Sequence, residues 1–269
     1  MSEQNPLAGE PSGNLTFWDH LEVLRGSLIK MIVAAVLMSV VAFCLKEWLF
    51  TVVLAPAQSD FFVYRWLHAP PFSLHLINTG LAEQMLVHLK VSTVAGLLVV
   101  SPYILYLLFR FIAPALYENE RRHSVRVTVA AYLMFLAGVL VNYLVIFPFT
   151  VRFLGTYQVS ADVHNMLTIS SYSDALLSMS LIFGIVFEMP VVAWLLARFG
   201  MLRAQWMRKY RRHAIVVILV LAAIITPTAD MMTLVIVSLP VWLLYEASIL
   251  LVKAAERKHL KETTNPITH

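Results

Sequence analysis

Cysteine is nearly missing from this chain: Cys44 is the only one in 269 residues. That excludes an internal disulfide and any cysteine metal cluster. Charge is scarce as well, at 13% Asp, Glu, Lys and Arg, where a soluble domain carries about a quarter. There is no Walker loop, no Gly-x-Ser-x-Gly elbow, no His-Glu-x-x-His and no His/Cys ligand cluster. The nine histidines are scattered and read as interfacial or loop residues. These gaps point away from an enzyme, since no nucleophile with a base and no metal set can be assembled, and no cofactor is expected. The sequence also lacks a short-period repeat, a Gly/Ser linker and a second soluble domain. A net charge of only +4 gives no reason to expect a nucleic-acid partner.

What is abundant is apolar surface. Hydrophobic residues make up 59% of the chain and the mean hydropathy is +0.75. One buried core cannot absorb that surplus, because a soluble surface needs more charge than this chain has. The solvent is therefore a bilayer, and the fold class is an all-α integral membrane protein. A crossing takes ~20 mostly apolar residues. Six candidates occur, at 26–45, 87–109, 127–147, 175–197, 214–225 and 231–252, within a single domain of residues 16–256. Residues 1–15, with Pro6, Gly9, Pro11 and Gly13, read as a disordered tail and not a cleavable signal, and 257–269 as a second tail. The fifth candidate has roughly 12 residues and falls short of a full crossing. It forms either a re-entrant or peripheral segment or, as favoured here, a crossing through thinned lipid.

Six crossings put both termini on one side. With the amino terminus inside, only Lys46, Arg65, Lys90 and Arg152 of the 20 Lys and Arg fall outside, so both termini are expected in the cytoplasm. The first outer loop, roughly 46–86, is rich in Trp, Phe and Pro, and short helices at the outer interface are expected there.

On the inner face, "TFWDHLEVLRGSL" (16–28) has a capping-box-like Thr16 and Asp19. Phe17, Leu21, Leu24 and Leu28 form one helical stripe, which describes an amphipathic helix entering the first span. In "FIAPALYENERRH" (111–123), Pro114 stops a helix, and Glu118 and Glu120 suit the amino terminus of the next one. A purely structural role accounts for both segments from pattern alone. Within the fourth span, "FGIVFEMP" (183–190) sets a carboxylate, Glu188, in an apolar run. Pro190 follows and removes the donor for the Val186 carbonyl. A mid-bilayer acid persists where it faces a bundle interior or a wet cavity. A bent helix beside a hydrated face and a Glu188 hydrogen-bonded between helices explain the pattern equally well.

"HLEVLR", "FIAPALYENERR", "FGIVFEMP", "TPTAD" and "SLPVWLLYE" follow one another in the order of the TatC family, the multispanning core subunit of the twin-arginine protein translocase, which the chain resembles from Thr16 to about Glu256. The resemblance implies a concave, glove-like set of six helices, the last two short, in a bacterial inner membrane. It implies a receptor for Arg-Arg signal peptides that moves folded proteins with the proton-motive force. Its implied partners are single-span TatA/TatB-type subunits, further copies of the chain, and lipid. It also implies signal-peptide binding by Glu120 and Arg121 with Glu22, Asp19 and Arg25, and an intramembrane polar groove at Glu188. Structural prolines would be Pro114, Pro190 and Pro240. Docking of a partner helix is implied at Thr226, Thr228, Asp230 and Thr233. The chain departs from the family pattern at Val23, where an acid is usual; Asp19, Glu22 or neither replaces it. The "TPTAD" turn is one residue longer than usual, and Leu234 stands where many members have glutamine. The rival class is a proton-coupled small-solute transporter with Glu188 as relay, which leaves the inner acids without a role. A structural scaffold explains none of the motifs.

Overall fold

The computed structural model describes residues 17–66, 74–112, 124–157, 166–226 and 230–264. α1 (Phe17–Cys44) is unbroken, so the amphipathic segment and the first span are one helix. The first loop holds the expected short helices, α2 (Lys46–Leu54) and α3 (Phe62–Trp66), separated by a 3-10 turn at Ala55–Ala57. β1 (Leu76–Ile77) leads into α4 (Glu83–Ile112). α5 (Ser124–Val141) passes through a π-helical turn (Asn142–Ile146) into α6 (Phe147–Thr156). β2 (Leu167–Thr168) precedes α7 (Ile169–Val186) and α8 (Met189–Arg198). α9 (Ala204–Lys209), α10 (Arg211–Ile225) and α11 (Met231–Thr264) complete the order.

Among the described residues, five helical stretches are long and apolar enough to cross a membrane: Leu21–Cys44, Glu83–Phe111, Val125–Thr156, Ile169–Arg198 and Met231–Arg257. α10 has 15 residues, or ~22 Å of helix, against a hydrocarbon core of about 30 Å. Its end is set by sequence. Thr226 precedes a proline and takes the extended conformation (φ −75°, ψ 135°) that such a residue favours. α11 runs unbroken through Pro240.

Other helix ends are closed by their own side chains. Thr168 Oγ1 accepts from the Ser171 amide at 3.1 Å and caps α7. Glu83 Oε2 reaches back to the Thr79 and Gly80 amides at 2.7 and 2.9 Å. α8 ends in a Schellman turn: the Gly200 amide bonds Ala197 and the Met201 amide bonds Leu196, each at 3.0 Å, with Gly200 at φ 73°.

The bundle is held at small residues. α1 packs antiparallel on α4, with the Phe43 and His88 rings stacked at 4.0 Å, and the Ser39 backbone pressed against Gly96 so that a Cβ there would collide with it. α5 crosses α7 at Gly138 and Gly184. A Cβ on Gly138 would lie 2.5 Å from the Phe183 carbonyl, and one on Gly184 would lie 2.6 Å from the Phe135 ring. The main core joins Val87 and Val91 of α4, Ile146 and Phe147, Tyr172, Met179 and Phe183 of α7, and Val237 and Val241 of α11. Tyrosines bind α2, the 3-10 turn and α3, which together cap one end of the bundle, to this core. Tyr143 and Tyr172 donate to the Val52 and Val53 carbonyls at the end of α2, at 2.7 and 2.9 Å. The Tyr64 hydroxyl lies 3.0 Å from both the Pro56 and Pro148 carbonyls.

Gly138→Ala should lower the thermal midpoint of the detergent-solubilised protein, by overpacking worth ~1–3 kcal/mol. Gly26→Ala should raise it slightly, since nothing lies within 4 Å of a Cβ at that position and alanine favours the helix by about 1 kcal/mol. Equal midpoints for the two variants would show that the α5–α7 crossing opens without cost.

Candidate functional site

The fourth span breaks where the carboxylate sits. α7 stops at Val186 and α8 starts at Met189. The Glu188 amide bonds the Ile185 carbonyl at 3.0 Å, one residue short of helical register, and Pro190 lies in the first turn of α8. Glu188 lines a groove of about 820 Å³ between α4, α5, the α7–α8 break, α9 and α11. Neither carboxylate oxygen has a hydrogen-bond partner among the described residues, so the alternative of a Glu188 bonded between helices does not hold there. The expected polar groove also needs correction. Beside Glu188 only Ser101 and Tyr245 are polar, and the other lining residues are apolar, among them Leu97, Leu105, Phe135, Ile185 and Leu196. The reason is packing: the Tyr245 hydroxyl is committed to the Met207 carbonyl at 2.8 Å and Ser101 to the Leu98 carbonyl at 2.7 Å. Among the described residues the groove is an apolar trough with one carboxylate, and no second acid of theirs lines it to continue a proton relay.

The recognition residues expected on the inner face divide into two sets. Glu120, Arg121 and Pro114 lie outside the described residues, as do Thr16 and Glu118. Asp19, Glu22 and Arg25 lie on α1, and Glu22 and Arg25 are exposed. The antiparallel register of α1 on α4 pairs Phe43 with His88 and Ser39 with Gly96. Continued along both helices, it sets Glu22 level with the carboxyl end of α4, where the segment bearing Glu118 and Glu120 begins. The basic ends of α8, α9 and α10 gather beside α11. Arg211 bonds Glu246 at 2.6 Å, and the Ala204 amide bonds Glu256 at 2.9 Å.

At the α10–α11 corner, Thr228 lies outside the described residues. Asp230 Oδ1 accepts from the Thr233 amide at 2.7 Å and so caps α11. Thr226 and Thr233 are buried, and neither hydroxyl has a partner among the described residues. The surface offered at this corner is Met231, Met232 and Val235, all exposed.

Sequence reading missed two polar pairs. Lys90 and Asp174 join α4 to α7 at 2.8 Å. Asn142, fully buried in the π turn, donates to Ser180 at 2.9 Å. A lysine or an asparagine inside an apolar run was visible in each case, but the partner stands 84 or 38 residues away.

Comparison with known proteins agrees with this architecture. The family model described as "Sec-independent protein translocase protein (TatC)" matches residues 19–240. The TatC of Koribacter versatilis (strain Ellin345) is 36% identical over 243 residues, covering 90% of this chain and 87% of that one. TatCy of Bacillus subtilis (strain 168) is 31% identical over 249 residues, covering 93% of each. A crystal structure of a twin-arginine translocase receptor, TatC, superposes with a TM-score of 0.74 at 32% identity, covering 88% of this chain and 99% of that one. The chain, an all-helical membrane protein of the twin-arginine protein-transport pathway, belongs to the TatC family.

Proposed function

We propose that this chain is the receptor and core subunit of its translocase. It binds Arg-Arg signal peptides and moves folded proteins across the bacterial inner membrane with the proton-motive force, both termini in the cytoplasm. The observation that carries the receptor reading is the register of α1 on α4, with exposed Glu22 and Arg25 level with the start of the segment that holds Glu120. The solved relative is itself named a twin-arginine translocase receptor. An arginine presents a planar fork that a carboxylate holds through two charge-assisted hydrogen bonds, whereas lysine offers a compact ammonium. In this reading Glu120 grips the pair, Glu22 or Asp19 closes on it from α1, and Arg121 and Arg25 hold the acids in place. The trough at Glu188 then takes up an apolar stretch of cargo. Single-span subunits of the TatA/TatB type dock at the α10–α11 corner against Met231, Met232 and Val235, and several copies of the chain assemble.

Glu120→Gln should weaken binding of an Arg-Arg peptide to the purified protein by ~1–3 kcal/mol, the range for a charged hydrogen bond, and Glu120→Asp should do less harm. Binding as tight as the parent's would end the receptor assignment for that segment. Asp19→Asn and Glu22→Gln, measured alongside with a Lys-Lys peptide as reference, identify the acid that serves in place of Val23.

Glu188→Gln should leave peptide binding nearly intact and slow transport severalfold, because the carboxylate lies within the fourth span. Loss of binding in a folded Glu188→Gln protein would move the recognition site into the membrane.

With Cys44 replaced, single cysteines at Ser2, Asn119 and Thr264 should react with an impermeant reagent only from the cytoplasm, and those at Ser59 and Asp230 only from outside. Labelling of position 119 from outside would overturn the six-crossing arrangement.

A further inference from the structure

The second cavity lies at the capped end of the bundle. There α4 and α7 start side by side: Glu83 Oε1 accepts from the Ser170 amide at 3.3 Å, and β1 pairs in parallel with β2 just before the two helices. About 10 Å further into α4, Lys90 Nζ donates to both oxygens of Asp174, at 2.8 and 2.9 Å. Both side chains remain half exposed, at 49% and 48%. They open onto a cavity of about 550 Å³ closed on its third side by the end of α10. Thr226 lines it while only 6% exposed, and its buried hydroxyl has no partner among the described residues. Ser171 and Ser178 add two hydroxyls beside Asp174; the remaining walls are apolar, and one of them, Leu181, also lines the Glu188 trough. A dipolar mouth therefore lies next to the trough along α4 and α7, with Leu181 between the two.

We propose that this cavity binds a phospholipid whose head group carries a phosphate and a primary ammonium. The phosphate sits on Lys90 and the Thr226 hydroxyl, the ammonium on Asp174, and one acyl chain passes Leu177 and Leu181 into the trough. Lysine has three donors and a carboxylate about four acceptor positions, so each member of the pair keeps capacity after the bonds it makes to the other. The head group must match both charges. A phosphate with no cation beside it would face Asp174 unopposed. A trimethylammonium carries no N–H to donate. A depth of about 10 Å from the helix start is where head groups meet hydrocarbon in a bilayer about 30 Å thick at its core.

The test is retention of lipid by the full-length protein, purified in detergent with equal amounts of phosphatidylethanolamine, phosphatidylcholine and phosphatidylglycerol and read by native mass spectrometry. One phosphatidylethanolamine should be held about tenfold more strongly than either competitor. Lys90→Gln and Asp174→Asn should each abolish that preference. Thr226→Val, which leaves the ion pair untouched, should reduce it severalfold. Thermal midpoints measured on the same samples identify any variant that has lost its fold, and Thr226→Val then decides alone. Soluble glycerophosphoethanolamine should fail to displace the bound lipid, because the chain in the trough adds to the hold. Equal retention of the three lipids, a preference for phosphatidylglycerol, full displacement by the soluble head group, or an unchanged preference in a folded Thr226→Val protein would overturn the proposal.

Discussion

Inside hydrocarbon no hydrophobic force drives apolar helices together, so this bundle depends on packing and hence on how closely two backbones can approach. The α5–α7 crossing is the decisive contact. Gly138 lies against the Phe183 carbonyl and the Phe187 side chain, and Gly184 lies against the Phe135 ring. Those contacts fall on the last turn of α7, immediately before the helix breaks. The crossing therefore fixes the level at which the fourth span can bend, and Glu188 is the next residue in the chain. Pro190, which has no N–H to offer the Val186 carbonyl, makes the break, and the glycines hold it in register with α5. α1 is attached in the same way, chiefly to α4 through Gly96 and Ser39, and most of its described large apolar side chains remain exposed.

A bilayer also offers no water to unpaired backbone groups. The chain meets that demand locally, with Thr168 capping α7, Glu83 turning back on Thr79 and Gly80, and Asp230 capping α11. The two tyrosines that take the last carbonyls of α2 extend the same economy to the cap. Against this background the unpartnered groups stand out. Glu188 and Thr226 each line a cavity, and Thr233 lies one helical turn beyond the cap of α11. Among these groups only Glu188 and Thr226 line a cavity; His88, Ser92, Ser173 and Thr233 are buried within the bundle, where no outside group reaches them.

The membrane class, the short fifth helix and the interruption at Glu188–Pro190 were legible in the sequence because each is a local matter. Hydropathy counts residues along the chain, and a proline acts on the carbonyl four places before it. The continuity of α1 was legible as well: the amphipathic segment runs into the first span, and half-buried Gly26 does not interrupt it, since a glycine costs a helix only about 1 kcal/mol. What lay beyond reach was every feature made by two distant elements. The Lys90–Asp174 pair, the Asn142–Ser180 bond and the register of α1 on α4 depend on which helix lies beside which. The trough reads as polar from Glu188 alone. Only the packing shows that Ser101 and Tyr245 spend their hydroxyls on backbone carbonyls, so that the surroundings of the acid are apolar.

The two cavities share Leu181 and follow one another along α4 and α7. Together their linings present a surface with a charge pair near the cap, apolar wall through the middle, and one carboxylate at the break. Its far end approaches the level of Glu22. A fully charged segment would lose its hydration in the middle without finding partners there. A fully apolar one would leave the polar groups at both ends unmet. The surface therefore favours a molecule that is charged at an end and apolar along its length. A phospholipid approaching from the capped end and a peptide approaching from the Glu22 end both have that form. They would meet in the same trough, so occupation by one must be displaced before the other can fill it. Were both ligands bound, they would compete at Glu188, because each would place its apolar part in the trough while its charges are held at opposite ends.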